Sequence, residues 1–185
     1  MRIIAGRHRG RPLKAPPGLA VRPTSERARE ALFDILSHSR FAEGPVYHAA
    51  NVLDAFAGTG AFGLEALSRG AAHASFIDLD RTALQALRDN IALLGEEANS
   101  RAVQGDALKP PRADRPCSLV FLDPPYREDV GGAALLALLK AGWTAPGALA
   151  VVEVAATQDL ATPEGFELLD ERRYGAAKLI FLRAP

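Results

Sequence analysis

The residues best suited to chemistry begin with a glycine-rich segment, DAFAGTGAFG, at residues 54–63. Gly58, Gly60 and Gly63 follow the spacing G-x-G-x-x-G, which is typical of loops that bind nucleotide-like cofactors after a strand. Glycines at such positions permit a tight turn and a close approach of the backbone to a ligand. The spacing alone fits NAD as well as S-adenosylmethionine, so the choice between them depends on the acidic residues nearby.

Asp54 lies four residues before Gly58 and favours S-adenosylmethionine as the cofactor. A dinucleotide would bring a pyrophosphate that this carboxylate would repel, whereas S-adenosylmethionine carries a cationic ammonium and a cationic sulfonium group. Asp78 is expected to accept hydrogen bonds from both hydroxyls of an adenosine ribose, which either cofactor would supply. Asp106 could accept from the adenine amino group or be a plain loop acid, and Asp80 is expected to cap a helix.

A second motif, Asp123-Pro124-Pro125-Tyr126, ends the segment SLVFLDPPY. The prolines fix two φ angles and remove two backbone donors, so the preceding carbonyls can accept hydrogen bonds from a ligand. Such acceptors could hold the hydrogens of an exocyclic amino group while Tyr126 stacks on the base. An aromatic amine is a poor nucleophile because its lone pair is delocalised, and two acceptors would favour a tetrahedral, attacking nitrogen. The motif therefore predicts in-line methyl transfer to the amino group of a base.

Alternating strands and helices must bring these motifs together. The patterns predict strands at 51–56, 73–78, 100–104, 117–122 and 149–154. They predict helices at 25–38 and 132–140, a helix from the glycine loop to Arg69, and a helix capped by Asp80 that ends at Leu94. A hairpin with strands at 166–174 and 178–182 is expected to close the fold. Thr24 is the expected N-cap of the first helix. Such βαβ units predict an α/β fold with a mostly parallel sheet and helices on both faces. Ligands then bind beyond the carboxyl ends of the strands.

Charge is unevenly distributed although the formal net charge is zero. Residues 1–40 carry nine Lys or Arg and three Asp or Glu, and the first 22 residues contain no acid. The basic residues of this first segment are Arg2, Arg7, Arg9, Arg11, Lys14 and Arg22. With no acid nearby in the sequence to neutralise them, we expect them to bind nucleic-acid phosphates. Short strands at 2–5 and 11–14, joined by a turn, are expected here; the alternative is a solvated basic tail.

Length, composition and hydropathy argue against a disordered, a membrane-spanning or a secreted protein. The 185 residues, of which 48% are hydrophobic and 24% charged, suit a soluble globular protein with an N-terminal extension over 1–40 and one main domain over 41–185. The longest uncharged run, at 141–152, is too short to span a membrane, and the N-terminus lacks a secretory apolar segment, so we expect a cytoplasmic protein. Cys117 is expected in the core, and the scattered histidines predict no metal site.

Over nearly its whole length the sequence resembles the bacterial RsmD family, within the Rossmann-like S-adenosylmethionine-dependent amino-methyltransferases. The glycine loop, Asp78 and DPPY are similar to the superfamily as a whole. RIIAGRHRGRPLKAP at 2–16 and RPTSERAREALFDIL at 22–36 are similar to the RsmD family in particular. The resemblance implies methylation of the N2 amino group of one guanine in 16S ribosomal RNA, with the assembled small subunit as substrate. We expect the enzyme to be a monomer.

The resemblance also implies a structure and residue roles. The fold would be a seven-stranded, mostly parallel Rossmann-like sheet with a C-terminal antiparallel hairpin. The cofactor-binding residues would be Asp54, Phe56, Ala57, Gly58 and Gly60, with Asp78 at the ribose and Asp106 at the adenine. The target-base site would be Asp123, Pro124, Pro125 and Tyr126, and the basic N-terminal segment would bind RNA.

Other functions share some of these features. A DNA amino-methyltransferase, or another RNA enzyme that methylates adenine N6, would also carry DPPY, but a DNA-specificity domain needs more residues than this chain has to spare. A protein-glutamine methyltransferase would usually have Asn in place of Asp123. A non-catalytic RNA-binding module would not need Asp54, Asp78 and DPPY. An NAD oxidoreductase would need a hydride-transfer site, for which the sequence offers no candidate.

Overall fold

The computed structural model describes residues 1–15, 23–38, 41–42, 44–125 and 130–185, with the side chains of the first helix described from Glu26 onward. The helices are α1 (Pro23–His38), α2 (Ala61–Ser68), α3 (Arg81–Leu94) and α4 (Gly131–Lys140). The strands are β1 (Asn51–Ala55), β2 (His73–Asp78), β3 (Ser100–Gln104), β4 (Cys117–Leu122), β5 (Thr144–Ala155), β6 (Glu167–Tyr174) and β7 (Ala177–Arg183).

Within the described residues, seven strands form one sheet in the order β3-β2-β1-β4-β5-β7-β6. Strands β1 to β5 are parallel, and β7 is antiparallel to both β5 and β6. This confirms the predicted seven-stranded, mostly parallel sheet with a C-terminal antiparallel hairpin. The strand order reverses between β1 and β4, so their carboxyl ends form the switch point at which α/β folds bind ligands.

Helices cover both faces of the sheet. On one face, α1, α2 and α3 bury Phe33, Leu67 and Leu87 in one apolar cluster. On the other face, α4 buries Leu135 and Leu138 in a second cluster. Because both faces are covered, β1 and β4 are buried along almost their whole length, as expected of central parallel strands. None of the helices in the described part of the chain has the length and apolar character needed to cross a bilayer.

Local capping signals set the bounds of α3. The side chain of Asp80 accepts hydrogen bonds from the N–H groups of Thr82 and Ala83, and Gly95 ends the helix in the left-handed conformation at φ 69°. Both the cap at Asp80 and the end of the helix at Leu94 are confirmed. The burial of Cys117 at the start of β4 is confirmed too, and burial raises the pKa of its thiol to about 12.

Most predicted bounds lie within one residue of the observed ones, but two elements begin earlier than predicted by more than that. α1 begins at Pro23, one residue before the predicted cap Thr24, because proline suits the first turn of a helix, where its missing N–H is not needed. β5 begins at Thr144 rather than at residue 149, because Thr144 pairs with Cys117 ahead of a register shift in the β4–β5 ladder. The sequence around Pro146 and Gly147 hides this early part of the strand.

The N-terminal segment 1–15, called the arm below, docks on the helices instead of forming two full strands. Its predicted strands are reduced to a single bridge between Arg2 and Pro12. Ile3 still bonds to Arg11 and Gly10 through its main chain, but the next N–H on that side, of Ala5, donates to the carboxylate of Glu65 on α2 and so cannot extend the ladder. The division of the chain at residue 40 stays a prediction; the arm and α1 bury side chains in the same cluster as β1 and β4.

Candidate active site

The sequence-predicted acids lie along one edge of the sheet. Parallel pairing aligns Ala55 with Ile77 on β2 and with Leu122 on β4, so the carboxyl ends of these strands are neighbours. Asp78 ends β2, and Asp123 follows β4 directly. The glycine loop 56–60 leaves β1 between them. In the described ranges, no group of three or more His, Cys, Asp or Glu side chains is arranged to hold a metal ion.

The glycine loop has an unusual backbone. Phe56, Gly58 and Gly60 all have positive φ angles, of 60°, 54° and 82°. This conformation costs a non-glycine residue such as Phe56 of order 1–3 kcal/mol, and such strain clusters at ligand sites. The N–H of Ala57 donates to the carbonyl of Ile77 at 3.1 Å, which fixes the loop to β2. The loop is therefore held by the neighbouring strand in a conformation that its glycines permit and that Phe56 disfavours.

The three glycines of the motif serve different purposes. A Cβ at Gly60 would lie 2.3 Å from Cδ1 of Leu87, and one at Gly63 would lie 2.3 Å from Cε1 of Phe76. These two glycines are required by close packing between the loop, α2 and the neighbouring elements. A Cβ at Gly58 would meet no atom within 4 Å. The loop is thus open at Gly58, where a ligand can approach the backbone.

Asp54 lies beneath the loop and is almost fully buried. Its Oδ2 accepts a hydrogen bond of 2.8 Å from the N–H of Gly63 in the first turn of α2. Gly60, the N-cap of that helix, has no side chain to cap it, so Asp54 supplies the acceptor from β1. Burial raises the pKa of Asp54 to about 7, although the hydrogen bond from Gly63 opposes this shift. Direct contact between Asp54 and a cationic cofactor stays a prediction.

Asp78 and Asp106 both combine structural hydrogen bonds with partial exposure. Oδ2 of Asp78 accepts from the N–H of Gly58 at 2.7 Å, and Oδ1 accepts from the N–H of Asp80 at 2.8 Å. Each oxygen retains a second lone pair for a ribose hydroxyl. Oδ1 of Asp106 accepts from the N–H of Leu108 at 2.8 Å, so this side chain closes its own turn. The ribose and adenine assignments remain predictions.

The DPPY motif begins where β4 ends. Asp123 and Pro125 are exposed, whereas Pro124 is buried. Tyr126 lies outside the described residues, as does Arg22 of the basic segment. Asp123 is therefore presented at the open edge of the sheet, one strand away from the glycine loop.

The arm is less free than its sequence suggests. Arg7 forms a 2.5 Å ion pair with Glu96, Arg2 lies 3.7 Å from Glu26, and Lys14 lies 3.7 Å from Asp89. The expectation that no acid neutralises these cations is therefore wrong, because distant parts of the chain supply the acids. Arg9 and Arg11 are exposed and form no ion pair with any described residue.

Glu96, which follows the end of α3, binds the turn of the arm. It is buried, and its carboxylate is bound by the side chains of Arg7, His8 and Asn99. Burial opposes ionisation, but these hydrogen bonds outweigh it and lower the pKa of Glu96. A charged carboxylate therefore holds the turn of the arm.

Among the buried polar residues that sequence reasoning missed, two lie beneath the arm and one lies in β5, the strand that pairs with β4. Glu65 and Asn90 are fully buried on α2 and α3 and bind the main chain of the arm. Glu153 on β5 is 9% exposed and follows Val152, the partner of Leu122. A polar residue within an otherwise apolar helix face was the only available signal for Glu65 and Asn90.

Comparisons with known proteins agree with this geometry. A solved structure of yhhF from Escherichia coli, described as a methyltransferase, superposes with a TM-score of 0.84 at 38% identity, covering 100% of this chain and 97% of that one. The Ribosomal RNA small subunit methyltransferase D of Escherichia coli K12 is 40% identical over 177 residues, which are 95% of this chain and 85% of the relative. Its Haemophilus influenzae counterpart is 37% identical over 181 residues, 95% and 89% of the two chains.

The sheet, its switch-point loop and these likenesses define a Rossmann-like methyltransferase. A family model described as Conserved hypothetical protein 95 matches residues 1–183. The chain belongs to this family, the RsmD family, as the sequence resemblance predicts.

Proposed function

We propose that this protein transfers the methyl group of S-adenosylmethionine to the N2 amino group of a guanine in 16S ribosomal RNA of the small subunit. The observation that carries the proposal is the adjacency of two sites: β1 leads into the glycine loop, and the paired strand β4 leads into Asp123. A methyl donor and a base amino group bound at these two strand ends would be neighbours. The relatives named as ribosomal RNA small subunit methyltransferases support RNA as the substrate.

The residues present fit this cofactor. The open side of Gly58 leaves room for a ligand against the backbone, and the half-buried carboxylate of Asp78 lies beside it. Carboxylates suit a ribose diol and a cationic sulfonium, but would repel a pyrophosphate. When bound, the cofactor supplies an electrophilic methyl group on sulfur. Asp78 would hold the ribose, and Asp54 would keep the start of α2 in place behind the loop.

Asp123 would act on the base. Its carboxylate and the neighbouring carbonyls can accept both hydrogens of the guanine amino group, which favours a tetrahedral nitrogen with its lone pair directed at the methyl group. As the N–C bond formed, the C–S bond of the cofactor would break with its electron pair remaining on sulfur. The nitrogen would then lose one proton, and Asp123 would be the group that receives it.

The RNA surface would centre on the exposed part of the arm. Arg2 and Arg9 line a cleft of about 410 Å³ between the arm and α1, together with Arg27, Glu26 and Glu30. Arg9 and Arg11 form no ion pair with a described residue, so they can neutralise phosphates without breaking one. For Arg2, Arg7 and Lys14 to bind phosphates, their ion pairs would have to break or be shared with the RNA.

Methyl transfer from radiolabelled S-adenosylmethionine tests the proposal. Small subunits lacking this modification, naked 16S ribosomal RNA and duplex DNA are offered in parallel, and the labelled nucleosides are identified. We expect N2-methylguanine from the small subunit. N6-methyladenine, label in DNA alone, or no transfer to any of the three substrates would contradict the proposal. Asp123→Ala protein serves as the control for contaminating activity.

A further inference from the structure

The arm and the glycine loop meet at one buried side chain, Asn90 of α3. Asn90 is fully buried, and its Oδ1 accepts a 2.8 Å hydrogen bond from the N–H of Lys14. Its Nδ2 donates to the carbonyl of Lys14 at 3.0 Å and to the carbonyl of Thr59 at 3.1 Å. Both amide hydrogens and the amide oxygen of one side chain are therefore used to connect two segments distant in the sequence.

The two segments belong to the two sites of the proposed reaction. Thr59 lies between Gly58 and Gly60, so its carbonyl is part of the glycine loop. Lys14 lies in the basic arm. A second contact joins the same parts, since the hydroxyl of Thr59 lies 3.7 Å from the sulfur of Met1. A shift of the main chain of the arm would therefore be transmitted to the loop through few intermediate residues.

Asn90 is an unusual residue for its position in α3. Its neighbours on the same face of α3, Leu87, Ile91 and Leu94, are buried and apolar. Asparagine is a poorer helix former than leucine, and a buried amide costs free energy unless it is fully hydrogen-bonded. An apolar residue would avoid that cost but would leave the N–H of Lys14 and the carbonyl of Thr59 without this partner, so what Asn90 supplies is the connection between these two main-chain segments.

We infer that Asn90 is a positioning residue that couples RNA binding by the arm to cofactor binding by the glycine loop; this rests on the proposed function. RNA that orders the main chain at Lys14 fixes the amide of Asn90, which in turn fixes the carbonyl of Thr59. A loop already held in its bound conformation binds the cofactor with a smaller entropic cost. The linkage is reciprocal, so the cofactor strengthens RNA binding by the same factor.

The test measures the affinity of radiolabelled S-adenosylhomocysteine, the unreactive product, by equilibrium dialysis with and without saturating small subunits. In the native protein we expect the subunits to raise the affinity about fivefold or more. In Asn90→Ala the ratio should fall to about one, while each ligand still binds alone. Ser68→Ala is the matched control, because Ser68 holds the arm through Ala5 and His8 but does not contact the loop; its ratio should stay native.

A second pair of variants reaches the same connection from the arm, without changing the buried face of α3. Lys14→Pro removes the N–H that donates to Asn90, whereas Lys14→Ala removes only the exposed side chain. We expect the ratio to fall to about one in Lys14→Pro and to stay native in Lys14→Ala, even though both weaken subunit binding. This pair decides the question if Asn90→Ala does not fold.

The outcomes separate the two proposals. If the native protein binds both ligands with a ratio of one, or if Ser68→Ala and Lys14→Ala lose the ratio as fully as the other variants, the coupling through Asn90 is overturned and the proposed function stands. If the native protein binds neither S-adenosylhomocysteine nor small subunits, the proposed function itself fails.

Discussion

At the scale of the residue, Asp78 should contribute most to cofactor affinity. Asp78→Ala removes the acceptor for the ribose and also the 2.7 Å hydrogen bond that holds Gly58. Charge-assisted hydrogen bonds are worth roughly 1.5–3 kcal/mol each, so calorimetry should show binding of S-adenosylmethionine at least about tenfold weaker. Asp80→Ala is the control, because it truncates a neighbouring carboxylate that caps α3. Equal affinities of Asp78→Ala and native protein would remove Asp78 from the site.

Asp54 should make stability depend on pH. Burial raises its pKa from 3.8 to about 7, so the folded protein keeps a proton that the unfolded chain releases between these values. The free energy of unfolding contributed by this group is present below pH 3.8 and is lost as the pH rises towards 7. In Asp54→Asn, the free energy of unfolding measured by urea denaturation should not show this part of the decline over the same pH range. A cationic cofactor should also flatten it, since a nearby positive charge favours the carboxylate. Identical pH profiles for both proteins would refute the assignment.

Asp123 should affect the chemical step more than binding. Its hydrogen bond to the amino group strengthens as the nitrogen becomes tetrahedral, so its loss should mainly destabilise the transition state. Asp123→Ala should lower the single-turnover rate roughly a hundred- to a thousand-fold with both substrates saturating. Asp89→Ala, an exposed acid on α3, is expected to react at the native rate. A native rate for Asp123→Ala would exclude the role.

At the scale of the element, the turn from β1 into α2 contains glycines with two different roles, close packing at Gly63 and ligand approach at Gly58. Gly63→Ala would place a Cβ 2.3 Å from the Phe76 ring, and overpacking of this kind typically costs about 1–3 kcal/mol of stability. Gly58→Ala meets open space and is destabilised only by its positive φ, by roughly 1–2 kcal/mol. We expect Gly58→Ala to lose cofactor affinity out of proportion to its change in melting temperature. Proportional losses in both variants would mean that Gly58 does not face the ligand.

Elements were predictable from sequence where their signals are local. The bounds of α3 follow from Asp80 and Gly95, which act within a few residues of the helix ends. The shortened pairing in the arm was not predictable, because Glu65, 60 residues away, takes the N–H of Ala5 that would have continued it. For the candidate site, the acids after the strands followed from parallel topology, whereas Asn90 did not, since nothing near it in sequence reveals its partners.

At the scale of the whole molecule, the arm should give RNA binding its salt dependence. Each phosphate of single-stranded RNA that the protein neutralises adds about 0.7 to the steepness of log K against log salt, so Arg9→Ala/Arg11→Ala should make the slope shallower by about 1.4. Arg7→Ala should instead loosen the turn of the arm, because Arg7 is paired with the buried Glu96. Filter binding to a single-stranded fragment of 16S ribosomal RNA over a range of salt measures the slope for each variant. An unchanged slope in the double variant would mean that these two arginines are solvated and do not contact RNA phosphates.

The burial of Cys117 makes the described fold convenient for labelling. The chain has one cysteine, and with its pKa raised to about 12 and its side chain in the core, it presents almost no thiolate to maleimide reagents at neutral pH. Cysteines introduced at Arg9 and at Arg81 would therefore carry probes on the arm and on α3 without a background signal. Distances between such probes would report whether the arm moves relative to α3 when RNA or cofactor arrives.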